Sequence, residues 1–102
     1  MVGNLRKWLI VNKNDDVATA LVDLGAGEEV LDEDAGVKLT LLQPIPFGHK
    51  FAIRSVAKDG LVHKYGQVIG KATNEITQGE HVHVHNLESR RGRGDLSKEA
   101  LS

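Results

Sequence analysis

The heptapeptide IPFGHKF, residues 45–51, has two close counterparts in the chain, LGAGEEV (24–30) and ITQGEHV (76–82). In all three, an aliphatic residue is followed by two variable residues, a glycine, two further variable residues and an apolar residue. VAKDGLV (56–62) is a looser version, aligned with one extra residue. Because glycine adopts positive φ without steric penalty, each copy predicts a turn that delivers the chain into a new strand.

Short strands are predicted between these turns, where β-branched and aromatic residues are bounded by glycine and proline. In KFAIRSV, alternation places Phe51 and Ile53 on one face and Ala52 and Val56 on the other. The sequence predicts a mainly β, compact domain of short strands with many non-local contacts. The predicted strands are residues 7–12, 38–42, 50–56, 66–73 and 81–86.

Residues 15–24 allow two interpretations. Asp15 or Asp16 suits a helix N-cap, and Val17 and Leu24 then fall on one helical face. Partial alternation of the same residues also suits a strand. One short helix is therefore allowed in a fold that is otherwise β.

Length and composition indicate one globular domain. The chain has 102 residues, 40% hydrophobic and 26% charged, with a formal net charge of −1. This charge gives no electrostatic reason to expect nucleic acid or an anionic membrane as partner. We divide the chain into an N-terminal strand or arm (1–13), the domain (14–88) and a flexible C-terminal tail rich in glycine, serine and charge (89–102).

Cysteine usage and the N-terminal residues bear on the compartment. The chain has no cysteine, which excludes disulfides and thiolate metal sites. The apolar run at residues 8–11 is too short for a signal peptide or a membrane span. We therefore expect a cytoplasmic protein.

Three of the five histidines alternate within GEHVHVHNLES, residues 79–89. On a strand, His81, His83 and His85 would all project from one face, and Val82 and Val84 would project into the core. Residues two apart on a strand are about 6.5–7 Å apart, so two such imidazoles can converge on one cation. The polar outer face of an ordinary strand gives the same pattern, so both interpretations stay open.

A metal site on this strand would need a further ligand from elsewhere in the chain. His49 is the best candidate because it follows one of the repeated glycine turns, and His63 is the next. Neighbouring protonated imidazoles repel one another, which would lower their pKa values. Neutral imidazole is the form that a metal or a general base requires.

Two long segments together resemble a known family. They are NDDVATALVDLGAGEEV and IPFGHKFAIRSVAKDGLVHKYGQVIGKATNEITQGEHVHVHNL, which cover most of residues 14–88. In composition and spacing they are similar to the SAF domain of the altronate/galactarate dehydratases. The resemblance implies the β-clip fold. It also implies a small subunit, or an attached module, of a much larger catalytic part.

The resemblance implies removal of water from an aldonate such as altronate, giving a 2-keto-3-deoxy acid, with iron or manganese as cofactor. The partner would be a separate large dehydratase subunit, and we expect the isolated chain to be inactive. One alternative is the small subunit of a sulfolactate sulfo-lyase, which expels sulfite. The others are a stand-alone module that binds a sugar acid without catalysis and a purely structural domain. The resemblance leaves open whether the isolated chain forms a homo-oligomer.

The family pattern assigns roles residue by residue. It implies that His49, Lys50 and His85 are catalytic, and that His83 and His85 bind metal. Lys50, Tyr65 and Asn86 would contact the substrate. His81 falls outside the pattern, so we expect it to be a bystander on the outer face. The matched positions are Gly48, His49, Lys50, Tyr65, Gly66, Gly70, Gly79, His83, His85 and Asn86.

Overall fold

The computed structural model describes residues 6–89, and these form short β-strands with no helix among them. The mainly β prediction is thereby confirmed. No helix long and apolar enough to cross a membrane occurs in this described range. The strands are β1 (Trp8–Leu9), β2 (Val17–Ala20), β3 (Glu29–Asp32), β4 (Val37–Thr40), β5 (Lys50–Ala52), β6 (Leu61–Lys64), β7 (Gln67–Ala72), β8 (His81–Val82) and β9 (Leu87–Ser89).

The strands form three antiparallel sheets. The central sheet has the order β1-β2-β5-β8, so β8 lies at its edge. β3 and β4 form a two-stranded hairpin, and β6, β7 and β9 form the third sheet in the order β6-β7-β9. The strands of the central sheet are contributed by distant parts of the chain, which agrees with the expected non-local contacts.

The strand interpretation of residues 15–24 is correct and the helical alternative is wrong. β2 occupies the middle of this segment because both of its faces are buried. Val17 packs in one apolar cluster, while Ala18 and Ala20 pack in another on the opposite side. Asp15 and Asp16 do not cap a helix, since their carboxylates accept backbone N–H groups from residues 63–66.

The repeated heptapeptides form four turns of the same kind. The residue at the fourth position has a positive φ: 85° at Gly27, 85° at Gly48 and 92° at Gly79. In the second copy the N–H of His49 donates to the carbonyl of Pro46 at 2.9 Å. A bond from residue i+3 to residue i with positive φ at i+2 is typical of a type II turn.

The fourth copy, VAKDGLV, corrects the predicted alignment. It contains no extra residue, because Asp59 (φ 70°) occupies the position that glycine holds in the other three copies. The N–H of Gly60 donates to the carbonyl of Ala57 at 2.8 Å, as in the other turns. Aspartate tolerates the left-handed region better than most residues, which makes the replacement feasible.

The turns pair with one another and anchor to the sheets. Leu24 and Ile45 exchange two backbone hydrogen bonds of 2.9 Å, and Val56 and Ile76 exchange two of 2.8 Å. Each of these four aliphatic side chains is buried. The repeat therefore builds two turn pairs, each with a paired apolar contact at its base.

The core consists of two apolar clusters. The larger contains Ala18, Phe51 and the buried side chains of the β3–β4 hairpin, which are Val30, Val37 and Leu39. The smaller contains Val17, Ala52, Val82 and residues of the β6–β7–β9 side. Since alternate residues of β2 and β5 belong to different clusters, the central sheet is covered on both faces.

The prediction of one strand over residues 81–86 is wrong. β8 ends at Val82, which is fully buried as expected, but Val84 is 82% exposed. Asn86 is the cause: its Oδ1 accepts the His83 N–H and its Nδ2 donates to the His81 carbonyl, both at 2.9 Å. This buried amide turns the chain back before the alternation can continue.

Parts of the two predicted end segments lie outside the described residues. The first five residues of the arm (1–13) and residues 90–102 of the tail are not described. Ser89, the first residue of the predicted tail, is the last residue of β9.

Candidate functional site

The pairing of β5 with β8 brings distant histidines together. Lys50 lies opposite Val82, and Phe51 lies opposite His81. Continuing the same antiparallel register by one position places His83 opposite His49. Because residues two apart on a strand share a face, His49, His81 and His83 all lie on one face at the edge of the central sheet.

These three residues form the histidine cluster, in which one nitrogen of each ring lies within 4.8 Å of the others. The rings of His49 and His83 are stacked, with centroids 4.1 Å apart. His49 Nδ1 lies 2.9 Å from His81 Nε2, a distance at which one nitrogen donates and the other accepts. All three side chains are half-buried.

His81, expected to be a bystander on the outer face, has a half-buried ring that hydrogen-bonds to His49, and its functional role stays a prediction. Alternation alone placed His81 and His83 on one face, and that part of the prediction is confirmed. His85 follows after the chain has turned. It is exposed, and its ring centroid lies 5.4 Å from that of His81.

His85 and His63 lie outside the group of three donor nitrogens. The predicted ligand roles of His83 and His85 stay predictions, although only His83 belongs to the histidine cluster. His63 forms a separate contact, in which its Nδ1 lies 2.8 Å from Asp16 Oδ2. His63 is therefore not placed to serve as the further ligand.

The electrostatics of the histidine cluster favour neutral imidazoles. Partial burial lowers the pKa of His81, and the neighbouring charges of His49, His85 and His83 lower it further. Burial also lowers the pKa of His83, followed by the effects of His49, Lys50 and His85. The direction expected from the sequence is thus confirmed for these two residues.

Lys50 lies on β5, opposite Thr19 of β2 and Val82 of β8. Burial lowers the pKa of its ammonium group, and the charge of Lys64 lowers it further. Within the described residues Lys50 forms no ion pair with a carboxylate. The buried Thr19 Oγ1 has no hydrogen-bond partner there either. An unpaired ammonium suits the predicted contact with a substrate carboxylate.

The two other predicted substrate contacts differ in exposure. Tyr65 is 52% exposed, with Lys64 Nζ 4.7 Å from its ring centroid. Asn86 is 1% exposed, and its side chain is occupied by the backbone of His81 and His83. Asn86 therefore holds the segment that carries two cluster histidines, and its contact with substrate stays a prediction.

One further residue positions the histidine cluster and was not predicted. Gln43 Oε1 accepts the backbone N–H of His81 at 2.9 Å, which fixes the edge strand at that residue. The two residues are 38 positions apart, and the sequence contains no local signal of this contact.

Three imidazole nitrogens form a donor set that suits divalent ions of the first transition series. Imidazole binds iron, zinc, copper and nickel well, whereas calcium and magnesium prefer oxygen ligands. Three protein ligands leave a coordination position for water or substrate, as in catalytic metal sites. The residues present therefore fit a resident transition metal.

Comparison with known proteins identifies the family. The altronate/galactarate dehydratase SAF domain matches residues 6–90 of the chain. The chain belongs to this family. Its SAF domain thus includes every strand described above, and the histidine cluster lies within it.

Similar proteins include both separate subunits and longer enzymes. The (2R)-sulfolactate sulfo-lyase subunit alpha of Chromohalobacter salexigens is 41% identical over 88 residues, which are 80% of this chain and 94% of that subunit. The altronate dehydratase of Escherichia coli is 42% identical over 83 residues, 81% of this chain but 16% of that enzyme. For the altronate dehydratase of Bacillus subtilis the identity is 35% over 85 residues, 83% of this chain and 17% of that enzyme.

Proposed function

We propose that this SAF domain acts with a large catalytic subunit as a sugar-acid dehydratase, removing water from an aldonate such as altronate. The observation that carries the proposal is the stacking of His49 on His83 at the edge of the central sheet, with Lys50 next in the chain and opposite Val82, within a domain matched by the dehydratase family. We place the reaction in the cytoplasm.

A second candidate is lysis of sulfolactate, for which the 94% coverage of the sulfo-lyase subunit is the supporting observation. The two reactions share one chemical outline. A base removes the proton α to the carboxylate, and that electron pair forms the C=C bond as the β-substituent leaves. The leaving group is hydroxide, protonated to water, in one reaction and sulfite in the other. The resulting enol becomes a 2-keto acid.

The chain's own residues suit parts of this outline. The Lys50 ammonium would hold the substrate carboxylate, because it lacks a carboxylate partner among the described residues. A neutral imidazole from His85, which lies outside the histidine cluster, would transfer the proton. His83, with its cluster neighbours, would hold iron or manganese; when bound, such an ion supplies Lewis acidity at the departing oxygen.

The surroundings of the histidine cluster suit contact with a partner. Phe47, two residues before His49, is 66% exposed, and Val84, next to His83, is 82% exposed. Leu42 is 54% exposed, and its N–H donates to Gly79, two residues before His81. Exposed apolar side chains that lie close along the chain to the cluster residues suit an interaction surface. The large subunit would cover them and enclose the site.

The test is reconstitution with the large subunit. The complex is isolated by size exclusion and assayed with altronate and with sulfolactate, using wild type, Lys50→Ala, His83→Ala and His85→Ala. We expect at least a tenfold loss of kcat/KM in each variant while the complex persists. Lys58→Ala, an exposed lysine on a turn, is the matched control and should retain full activity.

Three outcomes would contradict the proposal. Failure to form a complex would argue against a small subunit, and unchanged rates in all three variants would remove the proposed residues from the site. Binding of altronate by the chain alone, with no effect of the large subunit, would favour a stand-alone binding module.

A further inference from the structure

We propose that His49, His81 and His83 together bind one divalent transition-metal ion on this chain alone, without ligands from a partner. The ion belongs to the class that prefers imidazole nitrogen: iron(II), cobalt(II), nickel(II) or zinc(II). The ligand that completes the set is His81, not the exposed His85. The inference concerns metal binding only and does not depend on which acid the assembled enzyme transforms.

The donor atoms are close to the separation that an ion requires. A tetrahedral ion with metal–nitrogen bonds of about 2.0–2.1 Å holds its nitrogens about 3.4 Å apart. The nitrogens of the histidine cluster lie within 4.8 Å of one another, and the pair from His49 and His81 is at 2.9 Å. Binding an ion therefore requires rotation of these rings, which are half-buried and not fully enclosed.

The backbone holds these rings together before any ion binds. β5 and β8 fix His49 against His81 and His83 through their register. The side chains of Gln43 and Asn86 fix the N–H groups of His81 and His83, each at 2.9 Å. A preorganised set of ligands loses little conformational freedom when it binds an ion.

The ring nitrogens of the histidine cluster have few hydrogen-bond partners. Among residues 6–89, the contact between His49 and His81 is the single hydrogen bond that these three rings form. No carboxylate accepts from these rings within that range.

The absence of a carboxylate ligand among the described donors also sets the selectivity. Magnesium and calcium bind through oxygen and gain little from three imidazoles. The order of affinity should follow the general series for nitrogen sites, with cobalt(II) below nickel(II). Zinc and cobalt(II) are suitable probes because both bind imidazole nitrogen. Magnesium, which prefers oxygen ligands, is the negative control.

The experiment uses the full chain of 102 residues, stripped of metal with a chelator and dialysed. Calorimetric titration with zinc chloride and the visible absorption of cobalt(II) measure stoichiometry and affinity. We expect one ion per chain and a cobalt(II) spectrum of four- or five-coordinate form. His49→Gln, His81→Gln and His83→Gln should each weaken zinc binding at least tenfold, and His85→Gln by less than threefold.

Each variant is first checked for folding by thermal unfolding in the presence of chelator. If a variant does not fold, an NMR titration of the wild-type protein with zinc tests the same assignment. On addition of zinc, the ring nitrogen NMR signals of His49, His81 and His83 should shift, while that of His63, bonded to Asp16, should not.

Two results would overturn the inference. One is the absence of stoichiometric zinc binding to wild type. The other is a pattern in which His85→Gln weakens binding at least tenfold and His81→Gln does not. Either result leaves the dehydratase assay of the assembled enzyme untouched, so failure of this inference is distinguishable from failure of the proposed function.

Discussion

Asp15 and Gly66 are 51 positions apart, yet the buried Asp15 Oδ1 accepts the Gly66 N–H at 2.9 Å. Asp15 Oδ2 accepts the neighbouring N–H of Tyr65, also at 2.9 Å. One carboxylate therefore satisfies two adjacent amides at the β6–β7 turn and ties that turn to the segment before β2.

The first prediction is that Asp15→Asn destabilises the protein. One of the two accepting oxygens becomes an NH2 group that faces a backbone N–H, which leaves a buried donor unsatisfied. We expect a loss of about 2–3 kcal/mol in the free energy of unfolding, measured by urea denaturation. Asp34→Asn, at an exposed position, should change it by less than about 0.5 kcal/mol.

The second prediction compares two glycines that both have positive φ. A Cβ at Gly27 (φ +85°) would meet nothing within 4 Å, whereas a Cβ at Gly79 (φ +92°) would collide with the Thr40 carbonyl oxygen. Gly27→Ala should destabilise by about 1–2 kcal/mol, from backbone conformation alone. Gly79→Ala should lose at least about 1 kcal/mol more, because the end of β4 must move. Equal losses in denaturant titrations would contradict this explanation.

The third prediction concerns the turn in which aspartate replaces glycine. Asp59→Gly removes the strain of a positive φ at a residue with a Cβ, and we expect a gain of about 0.5–1 kcal/mol after the entropy of the unfolded chain is counted. The exposed pair of Asp59 with Lys71, at 3.9 Å, contributes little to offset this gain. Asp34→Gly is the control and should destabilise.

The fourth prediction is a dependence of stability on pH. Partial burial, followed by the charges of His49, His85 and, for His83, Lys50, lowers the pKa values of His81 and His83 in the folded state. The unfolded chain, with histidine pKa values of about 6.5, therefore binds more protons on acidification. This contribution to stability is complete above pH about 6.5 and is lost as the pH falls below it.

Urea midpoints at pH 7.5, 6.5 and 5.5, in chelator, measure this dependence. The double variant His81→Gln and His83→Gln should show a smaller decrease between pH 6.5 and 5.5 than wild type. A variant that follows the wild-type curve would show that other groups determine the acid sensitivity.

The sequence predicted those features that depend on local backbone chemistry. The glycine turns were found because positive φ is a property of single residues, and three of the four copies have glycine at that position. Asp59 was misaligned because aspartate adopts the same conformation without an equally clear signal. The buried Val82 also followed from local alternation.

Features that depend on distant contacts could not be predicted in this way. Val84 is exposed because the buried Asn86 side chain hydrogen-bonds to the backbone of His81 and His83 and turns the chain there. The inclusion of His81 in the histidine cluster depends on the register of β5 and β8. His49 was correctly chosen as a neighbour of the histidine segment, but the family pattern gave no reason to prefer His81 over His85.

The order of strands in the central sheet has a consequence for how the protein folds. β2, β5 and β8 begin at Val17, Lys50 and His81, so each pairing must first close a loop of about thirty residues. Domains dominated by such pairings fold on the order of milliseconds to seconds. Because β8 is two residues long and pairs only with β5 among the described strands, we expect the site at the sheet edge to be among the last parts to form. An ion bound there would act on the unfolding rate more than on the folding rate.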